Sequence, residues 1–205
     1  MLKGVKSVVF DIGGVLVDLD FDRCIESFRA LGFEGAENLV SCYHPAAFFG
    51  ELERGEITCE EFYDKIREVG NLPDLSDEQI SDAYCSLLVG IPEYKMRLIG
   101  QLRKRGFKIY ALSNINPVMI DRIRGMMAVD GLSHTDYFDH MFLSFEMGVM
   151  KPKREIYERM VESIGDDPSQ ILFIEDGVQN AEAAREFGIN VYLAKANEDF
   201  RHIFE

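Results

Sequence analysis

The sequence predicts a doubly wound parallel α/β core interrupted by an all-helical insertion. Three observations predict it. Five short apolar runs rich in β-branched residues are spread along the chain, helical patterns fill the gaps between the last four, and residues 21–91 carry helical patterns only. Strand alternating with helix implies parallel strands joined by right-handed crossovers.

The first run, "SVVF" (7–10), is unbroken by polar alternation, as expected of a strand buried on both faces. "KIYALSN" (108–114), "HMFLSF" (140–145), "QILFIED" (170–176) and "NVYLAK" (190–195) follow the same pattern. Between them, "PVMIDRIRGMMAV" (117–129), "KREIYERMVESIG" (153–165) and "VQNAEAAREFG" (178–188) place apolar or small residues on one helical face, and the last two end in glycine. "EYKMRLIGQLRKRG" (93–106) does the same ahead of the second strand, through Met96, Ile99 and Leu102.

Within 21–91 the helical segments are "DRCIESFRAL", "AENLVSCY", "CEEFYDKIREV" and "SDEQISDAYCSLLV", and no strand is expected. Ser76 ahead of Asp77, Glu78 and Gln79 reads as a helix cap. The division expected is a core of residues 1–20 and 92–205 with an inserted helical domain of 21–91. Asp18 and Asp20, at the entry to the insertion, read as turn and cap residues.

The chain has 205 residues, 47% of them hydrophobic, enough for a substantial core. Its net charge of -14 argues against nucleic acid or an anionic membrane as a partner. A small anionic ligand held by a few local cations remains compatible. The opening "MLKGVKSVVF" shows no apolar leader, and no run approaches membrane-spanning length. Cys24, Cys42, Cys59 and Cys85 match no CxxC metal pattern and read as free thiols. A cytoplasmic location is expected, with the oligomeric state, monomer or homodimer, left open.

Ligands of open α/β sheets bind at the carboxyl ends of the strands. Asp11 follows the first strand, Ser113 and Asn114 end the second, Lys151 and Pro152 come soon after the third, and Glu175 and Asp176 end the fourth. A nucleophile candidate, a hydroxyl, a lysine and an acidic pair thus meet on one edge. Gly13 and Gly14 let the chain turn tightly behind Asp11. A separate candidate is "GELERGEIT" (50–58), a loop expected to face the site with Glu53, Arg54 and Glu56 around Gly55. Tyr43, Phe48 and Phe49 would line an apolar wall or pack as the insertion's own small core.

Together "DIGGVLVD" (11–18), "LSN" (112–114), "KP" (151–152) and "IEDGVQN" (174–180) resemble the four signature motifs of the haloacid dehalogenase (HAD) superfamily, whose α-helical cap is inserted where residues 21–91 lie. "DIGGVLVDLDF" and "ERGEIT" look more narrowly like bacterial sugar-phosphate phosphatases related to α-D-glucose-1-phosphate phosphatase. The resemblance implies a Rossmann-like core and a Mg²⁺-dependent phosphatase for a small phosphorylated metabolite, a sugar phosphate above all. It makes Asp11 the nucleophile that forms an aspartyl-phosphate. Asp11, the Gly13 carbonyl, Asp176 and the neighbouring Glu175 would hold Mg²⁺. Ser113 and the backbone at Asn114 would bind phosphate oxygens, and Lys151 would neutralise the transferring phosphoryl group. Asn180 would orient Lys151 or brace the acidic loop, and Arg54 would reach the substrate from the cap. The departure is Gly13, where most phosphatases of the superfamily carry a second Asp that works as acid and base. Two rival readings follow: a phosphosugar mutase-like phosphotransferase, and a non-catalytic phosphate-binding protein.

Overall fold

Five parallel strands form one sheet in the order β5-β4-β1-β6-β7, with β1 (Ser7–Phe10) at its centre. The other four are β4 (Lys108–Ser113), β5 (His140–Leu143), β6 (Ile171–Glu175) and β7 (Asn190–Leu193). The structure, a computed structural model, describes residues 3–39 and 47–205. Residues of β1 and β6 are wholly buried, which explains why both read as unbroken apolar runs. Phe10 pairs with Ala111 on one side and with Ile174 on the other, so Asp11, Ser113 and Glu175 emerge side by side. The chain winds from β1 through β4 to β5 and resumes on the far side of β1 with β6. The crevice where it reverses is where such sheets hold ligands.

Helices α6 (Glu93–Lys104), α7 (Pro117–Met126), α10 (Arg154–Ile164) and α11 (Val178–Glu186) cover the sheet, close to their expected bounds. Short helices α8 (His134–Tyr137) and α9 (Ser144–Met147) flank β5. The third strand is therefore shorter than expected: it stops at Leu143, because Ser144 starts α9 and turns its buried hydroxyl toward neighbouring loops.

The insertion holds α1 (Phe21–Ala30), α2 (Ala36–Leu39), α3 (Ala47–Glu53), α4 (Cys59–Gly70) and α5 (Asp77–Cys85). Asp20 caps α1 through the amides of Asp22 and Arg23, and capping boxes open α4 (Thr58 with Glu61) and α5 (Ser76 with Gln79). Phe48, Phe49, Phe62 and Tyr84 stack around one another with ring centroids 5.0–5.7 Å apart. Each such contact is worth about 0.5–1.5 kcal/mol beyond burial, so this cluster is the insertion's own core. Cys42 and Tyr43 lie outside the described residues.

Two expectations about the insertion are corrected. Residues 21–91 do contain a strand: β3 (Leu88–Gly90) pairs antiparallel with β2 (Asp18–Leu19), forming a two-stranded ribbon where the chain enters and leaves the insertion. Segment 50–58 is only partly loop, because α3 runs to Glu53 on the strength of Phe48, Phe49 and Leu52. The ribbon is fastened to the core. Asp18 pairs at 2.8 Å with Lys95, a fully buried lysine of α6, so it does more than form a turn. The Asn197 side chain exchanges hydrogen bonds with the backbone of Leu19, accepting from its N–H and donating to its carbonyl.

Candidate active site

Asp11 leaves β1 with its amide donating to the Ile174 carbonyl, which keeps it on the sheet edge beside β6. Its Oδ1 accepts from the Ile12 N–H at 2.7 Å and its Oδ2 lies 2.7 Å from Lys151 Nζ. Lys151 is buried, and its ammonium has two further partners: Glu175 Oε2 at 2.6 Å and the Leu112 carbonyl at 3.1 Å. Three acceptors match three N–H bonds, so the lysine is fixed in place.

Asn114 holds Lys151 from behind. Its side-chain amide donates to the Lys151 carbonyl at 2.9 Å while its Oδ1 accepts from the Lys151 N–H at 2.8 Å. This locks the loop after β5 to the end of β4. Ser113 is buried and faces the same cavity.

Glu175 is wholly buried, with both oxygens engaged: Oε2 with Lys151, and Oε1 accepting from the Gly177 N–H at 2.8 Å and the Asn180 amide at 3.2 Å. Asn180 therefore braces Glu175, one of the two tasks expected of it. Asp176, by contrast, turns its carboxylate into the cavity that Asp11 also lines.

Carboxylate oxygens of Asp11, Glu175 and Asp176 lie within 4.8 Å of one another. Three acids share one ammonium, and the electrostatics reflect it. Burial, then Glu175, push the Asp11 carboxyl up to about 8 against the pull of Lys151. Burial and Glu175 likewise raise Asp176. Burial opposes the charges of Glu175 and Lys151 too, but Lys151 holds Glu175 below the ordinary range, and Asp11 and then Glu175 hold Lys151 above it. The uncompensated negative charge and the all-oxygen donor set fit a hard divalent cation.

Gly14 completes the cradle. Its φ is +72°, and a Cβ there would sit 2.1 Å from Asp176 Oδ2, so the backbone approaches the acidic loop as only glycine permits. Gly13 has no positive φ, and a Cβ would meet only Leu19 Cδ1 at 3.2 Å. The steric demand belongs to the second glycine.

The cavity has a volume of about 530 Å³, within the usual range for small-molecule sites. The strand ends, the turn at Lys151 and helix α11 supply its polar lining, Asp11, Ser113, Asn114, Lys151, Asp176 and Asn180, while the insertion adds Phe21, Phe49, Glu53 and Tyr84. Phe49 thus serves both as cavity wall and as core of the insertion. Arg54 is not brought in: its guanidinium is held by both Glu56 oxygens at 2.7 Å. Its neighbour Glu53 lines the cavity instead. The sequence pointed to the right segment but turned Arg54 toward the substrate; the helical continuation of α3 puts Glu53 there instead.

A family model described as a haloacid dehalogenase-like hydrolase matches residues 5–188. The chain is 32% identical over 200 residues to the D-ribitol-5-phosphate phosphatase of Bacteroides thetaiotaomicron, spanning 96% of this chain and 95% of that protein. It superposes with a TM-score of 0.94 on a HAD family enzyme of the same organism, solved as an aspartate-to-alanine variant in complex with magnesium and inorganic phosphate; identity is 38% over 98% of this chain and 99% of that one. A HAD-like family hydrolase of Porphyromonas gingivalis gives a TM-score of 0.88 at 29% identity, covering 98% and 96% of the two chains. Among the described residues no helix is long and apolar enough to cross a membrane.

Proposed function

The chain belongs to the haloacid dehalogenase-like hydrolases, and from that premise we propose that it transfers the phosphoryl group of a phosphorylated sugar or sugar alcohol to Asp11 and then to water. It is a hydrolase of phosphoric monoesters that uses Mg²⁺. One observation carries the finer reading: Asp11, Lys151 and Asp176 converge on a single cavity at the carboxyl edge of the sheet. The sugar-like substrate follows from the relative's activity on a ribitol phosphate and from the size of the cavity.

Asp11 Oδ2 would attack phosphorus, which is why its rotamer is fixed by the Ile12 amide on the other oxygen. Ser113 would bind a phosphate oxygen, and Lys151 would stand against the charge of the phosphoryl group. Glu175 and Asn114 would act through Lys151, one by charge and one by its backbone. Asp11, the Gly13 carbonyl and Asp176 would hold the cation, with Glu175 behind them because its oxygens are already taken. When bound, the cation offsets repulsion between an anionic nucleophile and an anionic phosphate.

A chelator is expected to abolish phosphate release, and added Mg²⁺ to restore it. Asp176→Asn should weaken Mg²⁺ binding, measured by calorimetry, far more than Glu175→Gln. Equal losses would place Glu175 among the ligands. Phosphate release from a panel of sugar and polyol phosphates, with acid-quench trapping of a phosphorylated Asp11, tests the reading as a whole. Transfer to a sugar hydroxyl would support the phosphotransferase instead, and stabilisation by phosphate without turnover a binding protein.

Gly14 offers a separate check. Gly14→Ala is expected to displace the Asp176 carboxylate and weaken Mg²⁺ binding by about 10- to 100-fold, the usual effect of disturbing a ligand's support. The left-handed backbone adds roughly 1–2 kcal/mol of strain. Gly13→Ala should be nearly neutral on both counts, since only the flexible Leu19 tip must move. A calorimetric titration in which the two variants behave alike would contradict this assignment.

A further inference from the structure

We propose that Glu53, carried by the helical insertion, gives a proton to the leaving oxygen of the substrate and then serves as the base for the attacking water. The inference rests on the aspartyl-phosphate reading above. Its starting point is what the nucleophile loop lacks. Gly13 offers no side chain near Asp11, and the tip of Leu19 stands 3.2 Å from where its Cβ would be. An acid for the leaving group must come from elsewhere.

Among the described residues, the titratable side chains lining the cavity are Asp11, Glu53, Tyr84, Lys151 and Asp176. Asp11 and Asp176 are needed as nucleophile and cation ligand. Lys151 is held by three acceptors and stays charged. Tyr84 is buried against Asn116, whose amide donates to its hydroxyl at 2.9 Å, and burial keeps it neutral well above the ordinary phenol range. Glu53 is left. No described residue hydrogen-bonds or ion-pairs with its carboxyl; Arg54 is turned to Glu56.

The backbone of Glu53 is also pinned to core loops beside the cavity that Asp11 lines. Its carbonyl accepts from the buried Ser144 hydroxyl at 2.6 Å, and the same oxygen of Ser144 accepts from the Ile115 N–H at 3.0 Å, just beyond Ser113 and Asn114. Gly55, at φ +67°, approaches so closely that a Cβ would lie 2.4 Å from the Phe145 carbonyl oxygen. This segment of the insertion is thus clamped to the core loops that border the phosphate site. Among the described residues, the titratable or charged groups that face Glu53 are Lys151 across the cavity, Arg54 beside it and the Tyr84 hydroxyl. Burial outweighs both cations and pushes its carboxyl up to about 7, where a group can give and take a proton at neutral pH.

The steps balance. Asp11 forms a bond to phosphorus as the bond from phosphorus to the leaving oxygen breaks, and the Glu53 proton goes to that oxygen, releasing the alcohol. The Glu53 carboxylate then takes a proton from water as the remaining hydroxide attacks phosphorus and the Asp11–phosphorus bond breaks. Hydrogen phosphate leaves, and protonated Glu53 and ionised Asp11 are restored.

Two substrates test this in Glu53→Gln: an alkyl phosphate such as ribitol 5-phosphate, whose leaving oxygen needs a proton, and 2,4-dinitrophenyl phosphate, whose does not. The alkyl ester should slow by about 100- to 10,000-fold. The dinitrophenyl ester should give a burst of one phenolate per enzyme and then slow turnover, because phosphorylation proceeds while water attack lacks its base. The burst also counts folded, competent sites. In the wild-type protein kcat/KM for the alkyl ester should fall as pH rises through about 7, and that limb should vanish in the variant. Equal loss for both esters with no burst, or an alkyl rate within about threefold of wild type, would overturn the proposal. Wild-type protein that hydrolyses both esters but yields no phosphorylated Asp11 would instead overturn the underlying reading.

Discussion

Asp11→Asn is expected to lower kcat/KM toward a phosphorylated sugar or polyol by about 1,000-fold or more, the scale on which losing a nucleophile is felt. The substitution keeps shape and volume, and the loss should come without loss of fold. The charge balance makes this sharper. The Asp11 carboxyl is raised above its ordinary value of 3.8 to about 8, by burial and then by Glu175. A carboxyl whose folded value is raised costs stability once it ionises, so the cost is absent below its unfolded value and grows as pH rises toward the folded one. Removing the charge should therefore leave the metal-free variant at least as stable as wild type at pH 7.5, with the difference closing as pH approaches 4. Thermal unfolding in chelator at several pH values measures this, beside steady-state phosphate release. A variant keeping more than about a tenth of wild-type activity would remove Asp11 from the nucleophile's role.

The core was legible because strands buried on both faces need unbroken apolar runs, and helices that cover a sheet need a periodic face. A strand's carboxyl end follows from where its run stops, so Asp11, Ser113, Lys151 and Asp176 could be placed on one edge without coordinates. What stayed hidden was shorter than one period or depended on rotation. The β2–β3 ribbon has two or three residues a strand, too few to alternate visibly. Helix α3 carries Gly50 at its middle and is short enough to pass for loop. Adjacent residues point apart, which separates Asp176 in the cavity from Glu175 behind it, and Glu53 on the wall from Arg54 at Glu56. From the sequence, Asn114 is expected to contact phosphate through its backbone, and only the fold shows its side chain spanning to the Lys151 backbone.

The largest effect on stability is expected at Lys151. Lys151→Met preserves length and apolar bulk but removes the cation that Asp11 and Glu175 share at 2.7 and 2.6 Å. Breaking a buried pair by deleting one partner typically costs about 3–5 kcal/mol, because the remaining charge is left buried without compensation. Glu175 suffers most, being wholly buried with, among the described residues, only Gly177 and Asn180 remaining to donate to it. Its carboxyl lies below the ordinary 4.5 in the intact protein despite burial, chiefly through Lys151. A depressed carboxylate contributes stability above its unfolded value and loses it as pH falls. The gap between wild type and variant should therefore be widest above pH 4.5 and narrow below it. Adding Glu175→Gln should recover part of the loss, since the buried charge is then gone. Activity should not return, because the phosphoryl group still lacks its cation. Urea unfolding of both single variants and the double variant supplies the cycle. A Lys151→Met protein as stable as wild type at pH 7 would mean that Glu175 is neutral in the folded state and that Lys151 holds Asp11 alone.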